Sequence, residues 1–172
     1  MTLILRHETA SDIDAITHLT IAAFKTAPHT SHTEQHIVNA LRHSGQLTLS
    51  LVAEAHGTLL GHLALSPVEL SSGAPGWFGL GPVSVDPKHQ NQGIGSALIQ
   101  AALAELRAMG GQGCVVLGDP HYYARFGFRS HAGLTLPGVP PAYFQALPFG
   151  PEVPSGNVRY SPAFEVSAPS ND

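Results

Sequence analysis

Apolar residues along this chain follow two rhythms, one near 3.6 residues and one near 2, and the changes between them mark out its elements. Leu3 to Arg6 reads as a short strand. Thr9 to Asp14 then offers cap residues ahead of Ile13, Ile16, Leu19, Ile21 and Phe24, a helical spacing that ends before Pro28. Glu34 to Arg42 is a second, weaker helix with Ile37, Val38 and Leu41 on its apolar face. Thr48–Ala55 and Thr58–Ser66 read as two strands joined by a tight turn at His56-Gly57, and the meander continues toward Trp77.

Trp77 to Val85, "WFGLGPVSV", has strand composition, yet Gly79, Gly81 and Pro82 interrupt it. Proline has no N–H for a ladder, so the pattern predicts a bulge or a parted neighbour. Asp86-Pro87 turns the chain. From Gly93, residues Ile94, Ala97, Leu98, Ala101, Ala102, Leu106 and Met109 keep helical spacing until Gly110-Gly111. Cys114–Leu117 is a short buried strand, and Pro120–Phe126 a short helix ended by Gly127. The six prolines between 137 and 154 exclude regular structure there, while Tyr143, Phe144, Leu147 and Phe149 make that loop a packed one. Residues 157–166 read as a closing strand. The order predicts an α/β fold with a mixed, mostly antiparallel sheet and helices on both faces. Residues 1–166 are expected to form one domain and 167–172 a flexible tail.

Composition narrows the picture. With 172 residues, 43% of them hydrophobic and 12% charged, the chain supports one well-buried core and is short for two. The net charge of −4, with eight Lys and Arg spread from Arg6 to Arg159, supplies no basic stripe for nucleic acid. No signal-like start or membrane-length apolar run is seen, which predicts a cytoplasmic protein without a membrane partner; a homodimer is compatible. One cysteine, Cys114, excludes an internal disulfide and reads as a small core residue. Of the eleven histidines, His29, His32 and His36 have a spacing that brings imidazoles together, but they read as a solvated helix face, and no metal site is expected.

The candidate chemistry lies in "KHQNQGIGSALI", residues 88–99. A strand, a turn and a helix opening Gln92-Gly93-Ile94-Gly95-Ser96 present free backbone N–H groups and a positive dipole end, a setting for phosphate. A dinucleotide fingerprint requires a third glycine where Leu98 stands, and no Gly-Lys-Ser/Thr exists for a P-loop.

The run "VSVDPKHQNQGIGSALI" resembles the acyl-CoA motif of the GNAT N-acetyltransferase superfamily, Gln/Arg-x-x-Gly-x-Gly/Ala, met by Gln90, Gly93 and Gly95 after Val83-Ser84-Val85. "YYARFGF" resembles the superfamily's Tyr-x-x-x-Gly-Phe segment, with Tyr123 four residues before Gly127. "VVLGDPHYYARFGF" and "NVRYSPAFEV" resemble a subgroup of small bacterial-type acetyltransferases. The resemblance implies a GNAT-like fold with a splayed central strand pair, acetyl-CoA as acyl donor, and a small-molecule or peptide amine as acceptor. It places CoA pyrophosphate on N–H groups from Asn91 to Ser96, with Gln90, Gln92, Ile94 and Gly95 in the cradle. The remaining phosphate falls to Lys88, Arg125 or Arg129. An oxyanion meets a backbone N–H near Val83 or Val85, and Tyr123 is the acid that protonates the leaving thiolate, with Tyr122 as its neighbouring competitor. A phenol of pKa ~10 is protonated at neutral pH and suits a thiol of ~8.5. The general base stays open: the bulged strand has none, leaving Glu54, His62, Glu69 and His121 to act through water. Another acyl-CoA or acyl carrier protein as donor, or a CoA-binding module without catalysis, are the alternatives.

Overall fold

The computed structural model describes residues 2–28 and 30–166; the tail expected at 167–172 and His29 lie outside the described residues. In chain order the elements are β1 (Ile4–His7), α1 (Ile13–Phe24), α2 (Glu34–His43), β2 (Leu49–Ala55), β3 (Thr58–Pro67), β4 (Glu69–Leu70), β5 (Trp77–Val85), α3 (Ile94–Ala108), β6 (Gly113–Leu117), α4 (Pro120–Tyr123), β7 (Leu134–Thr135), β8 (Phe144–Pro148) and β9 (Gly156–Arg159). The main sheet runs β1-β2-β3-β5-β6-β8, antiparallel except for the β5–β6 pair, and a small sheet runs β4-β9-β7.

Strand alternation divides the core. Leu49, Leu51, Ala53 and Ala55 of β2 point to the face covered by α3, where Leu98, Ile99, Ala102 and Leu106 pack on them. Val52, one step out of phase, meets Ile16 of α1 and Val38 of α2 on the opposite face. Helices therefore cover both faces, as the apolar patterns of the two helix groups require. The predicted β2–β3 turn is present, with His56 and Gly57 both at positive φ as a type I′ hairpin turn demands. At the end of α3, Gly111 N–H returns to Leu106 O at 2.9 Å and Gly110 N–H to Arg107 O at 3.1 Å, closing the last turn.

β5 carries the predicted bulge. Leu63 of β3 faces Val83 and Leu65 faces Leu80, so Gly81 and Pro82 together stand opposite Ala64. On its other side β5 pairs with β6 for only four residues, Trp77–Leu80 against Gly113–Val116. Residues 81–85 then continue with β3 alone, leaving a gap beside them.

Two expectations need correction. The segment between 137 and 154 is not devoid of regular structure: its prolines flank β8 instead of interrupting it, and Phe144–Leu147 contains none. β8 is an edge strand, where Pro148 withholds no ladder bond from a second neighbour. The closing strand predicted over 157–166 is less than half as long, Gly156–Arg159, because Ser161 caps a 3-10 turn, Pro162–Glu165, and ends extended structure after Arg159. The small sheet closes over Trp77, Val115, Phe144 and Ala146, forming a second core on the α1–α2 side.

Trp77 packs across Gly113, where an added Cβ would stand 2.4 Å from the indole. Gly113→Ala is therefore expected to cost about 1–3 kcal/mol by overpacking, whereas Gly150→Ala, with open space around it, is expected to stay within about 0.5 kcal/mol. Urea unfolding of both variants checks this.

Candidate active site

The start of α3 is shaped by the turn before it. Asp86 caps the 3-10 turn Pro87–His89 by accepting from Lys88 N–H at 2.9 Å. Asn91 and Gly93 both adopt positive φ, 63° and 82°, so the backbone curls in two steps before Ile94. Ile94 is buried in the core and anchors the helix by its side chain, leaving only its backbone for a ligand. Ala97 N–H is the first to turn back, to Gly93 O at 3.0 Å, so the N–H groups of Ile94, Gly95 and Ser96 face out of the helix end. Gln90, Asn91, Gln92 and Gly93 are exposed there. Tyr122 reaches over from α4: its Oη lies 3.3 Å from the position a Cβ would take on Gly95. Arg125 covers the Tyr122 ring at 4.5 Å and so brings positive charge to this end of α3. Val83 and Val85 pack toward the α3 core, and Ser84 is buried on the other face, opposite His62.

The gap beside β5 opens into a cavity of 460 Å³ whose wall includes Gly81, Pro82, Val83, Tyr123, Tyr160 and Glu34. Asp119 caps α4 by accepting from His121 N–H at 2.9 Å, and Pro120 starts the helix without needing an N–H partner. The ring of Tyr123 is pressed onto Gly118, where a Cβ would stand 2.6 Å from Cε2. Edge contacts with Tyr122 and Phe128, at centroid distances of 5.0 and 5.9 Å, fix the ring. Burial pushes its phenol up to about 12, so it holds its proton at neutral pH. Tyr122, less buried, is raised by desolvation and opposed by Arg125; its hydroxyl lies at the α3 end, while Tyr123 lines the gap.

None of the four base candidates lines this cavity. Glu54 pairs with Arg6 at 3.3 Å and opens on a separate cavity beside Asp12. Glu69 pairs with Arg159 at 3.3 Å at the exposed surface, and His121 is exposed on α4. His62 is fully buried: its Nε2 lies 2.8 Å from Ser50 Oγ, Ser50 donates to Glu8, and Arg42 clamps Glu8 with two bonds of 2.8 Å. Desolvation holds its pKa down at about 4, against a smaller opposing pull from Glu8. The carboxylate that does reach the cavity is Glu34, at the first turn of α2. It accepts from Thr30 Oγ1 at 2.7 and 2.8 Å and from Ser31 N–H at 3.3 Å, which fixes its orientation. The available signal was Ile37, three residues on and so on the same helix face, which lines the same wall.

Tyr160, just beyond β9, is a further residue the sequence did not single out. Its ring covers Gly79, where a Cβ would stand 2.5 Å from Cε1, and it contacts Phe164 at a centroid distance of 5.0 Å. Its hydroxyl is buried without a hydrogen-bond partner among the described residues, an arrangement that costs about 1–3 kcal/mol unless a ligand supplies the partner. Cys114 is fully buried and its thiol is pushed far up by desolvation. Among the described residues no group of three or more His, Cys, Asp or Glu is placed to hold a metal, and no helix is long and apolar enough to cross a membrane.

Comparison with known proteins shows the family. A sequence model of the Acetyltransferase (GNAT) family matches residues 13–128. The uncharacterized N-acetyltransferase YhbS of Escherichia coli K12 is 36% identical over 128 residues, 74% of each chain. A GNAT family acetyltransferase from Brucella melitensis, crystallised with acetyl-CoA, superposes with a TM-score of 0.85 at 47% identity, covering 95% of this chain and 98% of that one. The crystal structure of Escherichia coli YhbS in complex with CoA gives 0.86 at 32% identity, covering 96% and 93%.

The His62 arrangement has a measurable signature. Its pKa is about 4 in the fold and ~6.5 in the unfolded chain. Between these values the unfolded state binds a proton that the native state refuses, so stability falls as pH drops from 6.5 toward 4, by up to ~1.4 kcal/mol per pH unit. In urea titrations across this window His62→Gln is expected to flatten that slope.

Proposed function

Because the chain belongs to the acetyltransferase (GNAT) family, we propose that it transfers the acetyl group of acetyl-CoA to a primary amine by direct attack in the gap where β5 leaves β6. The observation that carries this reading is the meeting, around one gap, of a curled N–H cradle at α3, an unpaired stretch of β5 and a protonated tyrosine.

Pyrophosphate rests on the N–H groups of Asn91 to Ser96, where helix-end geometry and dipole favour an anion. Gln90 and Gln92 border the cradle with their amides, and Arg125, held over Tyr122, answers a further phosphate. The pantetheine arm lies along Val83, Ser84 and Val85 and takes the hydrogen bonds that β6 does not. The acceptor arrives as an ammonium and passes one proton to the Glu34 carboxylate. Its nitrogen lone pair then attacks the thioester carbonyl carbon, and the oxygen gains charge beside the β5 backbone near the bulge. As the intermediate collapses, the C–S bond breaks and Tyr123 hands its proton to sulfur. The amide nitrogen returns a proton to the Tyr123 phenolate, and Glu34 releases its proton to water. One amine and one acetyl-CoA become one amide and one CoA, with one proton released. Glu34 takes the place of the four earlier base candidates because it alone among them and itself borders the gap.

Acetyl-CoA at 100 times its dissociation constant is expected to stabilise the protein by ~2.7 kcal/mol. Gly95→Asp is expected to abolish that thermal shift while leaving the fold intact, since a carboxylate in the first helical turn favours the helix but repels phosphate. NADH and ATP serve as decoys in the same titration.

Tyr123→Phe is expected to lower kcat by roughly 10²-fold or more with acetyl-CoA affinity unchanged. Single-turnover kinetics beside calorimetric titration separate the two effects. Loss of binding with unchanged turnover of the bound complex overturns the assignment of Tyr123 as the acid.

A further inference from the structure

The transfer step leaves Tyr160 unused. Its hydroxyl is buried and unpartnered among the described residues, and the residue lines the cavity that holds Tyr123 and Glu34. Apart from these three oxygen-bearing groups the wall is mostly carbon, with Phe24, Ile37, Leu80, Leu117, Leu136 and Phe164 around it. Glu34 is the one charged side chain among the described residues of that wall. Among the described residues that line the adjoining cavity the one Lys or Arg is Arg159, exposed and paired with Glu69 at 3.3 Å.

This distribution selects a substrate chemistry. A primary ammonium has three N–H donors. Glu34 satisfies one with opposite charge, and the Tyr160 oxygen accepts another, which also gives the orphaned hydroxyl its partner. A carboxylate on the adjacent carbon would find no cation in this wall and would stand near Glu34, where repulsion and desolvation both oppose it. Resting on the acetyl-transfer reading above, we propose that the acceptor is a primary amine on an uncharged apolar skeleton, an alkyl or arylalkyl amine without an α-carboxylate, bound by Glu34 and Tyr160. Tyr160 is then an acceptor-binding residue, and the surrounding carbon wall takes the skeleton.

The test compares 2-phenylethylamine with phenylalanine, which differ only in the α-carboxylate, at saturating acetyl-CoA. The expected kcat/KM ratio is about 100-fold or more in favour of the amine, the effect of an unpaired buried charge. Tyr160→Phe keeps the ring over Gly79 and is expected to raise KM for 2-phenylethylamine roughly 10-fold, with kcat nearly unchanged. The same variant is expected to raise Tm without acceptor, because it removes an unpaired buried hydroxyl; a merely structural tyrosine would not combine higher Tm with higher KM. Glu34→Gln is expected to weaken binding of the amine and narrow the ratio. Equal use of the two acceptors, preference for phenylalanine, or an unchanged KM in Tyr160→Phe overturns the proposal. Acetyl-CoA binding, followed by thermal shift in the same preparation, reports separately on the donor. If the donor fails to bind, direct binding of the two acceptors by saturation-transfer NMR still decides between them, and no binding of 2-phenylethylamine at millimolar concentration overturns the proposal.

Discussion

The two-to-one mismatch at Gly81-Pro82 against Ala64 sets the geometry from which the rest of the site follows. Before it, β5 has β3 on one side and β6 on the other; after it, β5 keeps β3 but has lost β6. A bulge bends a strand and increases its local twist, and proline removes a donor at the same place. The backbone groups of residues 81–85 thus have one covered side and one open side. An extended ligand arm with amide groups can complete such an edge as a strand would. The proposed transfer rests on this point: an acyl carrier completing this strand edge would bring its thioester to the mouth of the cavity that Tyr123 lines.

Aromatic rings seated on glycines give that region its shape. Trp77 lies over Gly113, Tyr123 over Gly118 and Tyr160 over Gly79. In each case the absence of a side chain lets a ring approach the backbone more closely than any Cβ would allow. The result is rigidity close to the gap with little polar surface committed to it. Tyr123 is held by ring contacts on several sides, so its hydroxyl position follows from packing and its protonation from burial.

Charge is distributed with the same economy. On the α1–α2 face, Arg42, Glu8, Ser50 and His62 form one connected polar chain whose bonds run among its members instead of facing the gap, although His62 Nδ1 has no partner among the described residues. Arg6, Asp12 and Glu54 form a second such group at the edge of the sheet. Most ionisable groups that a linear reading nominates for chemistry are therefore occupied in holding elements together. Glu34 differs because neutral hydroxyl and amide donors orient it, and among the described residues no cation pairs with its carboxylate.

The sequence by itself determined what depends on neighbours along the chain. The hairpin at His56-Gly57, the helix from Ile94, its Gly110-Gly111 end, the interruption of β5 and the curl around Gly93 are all set by local backbone chemistry and periodicity, and all were legible. β8 was not, because prolines that flank a strand resemble prolines that prevent one until an edge position in a sheet tells them apart. The small sheet was equally hidden: β4 and β7 are two residues each and exist only because β9 lies between them. Glu34, Tyr123 and Tyr160 come from three distant parts of the chain and share a cavity only after α2 is laid across β5 and β9 returns beside β4. Local propensity decides which residues become helix or strand. Long-range packing decides which of them meet, and with that which carboxylate is free to act.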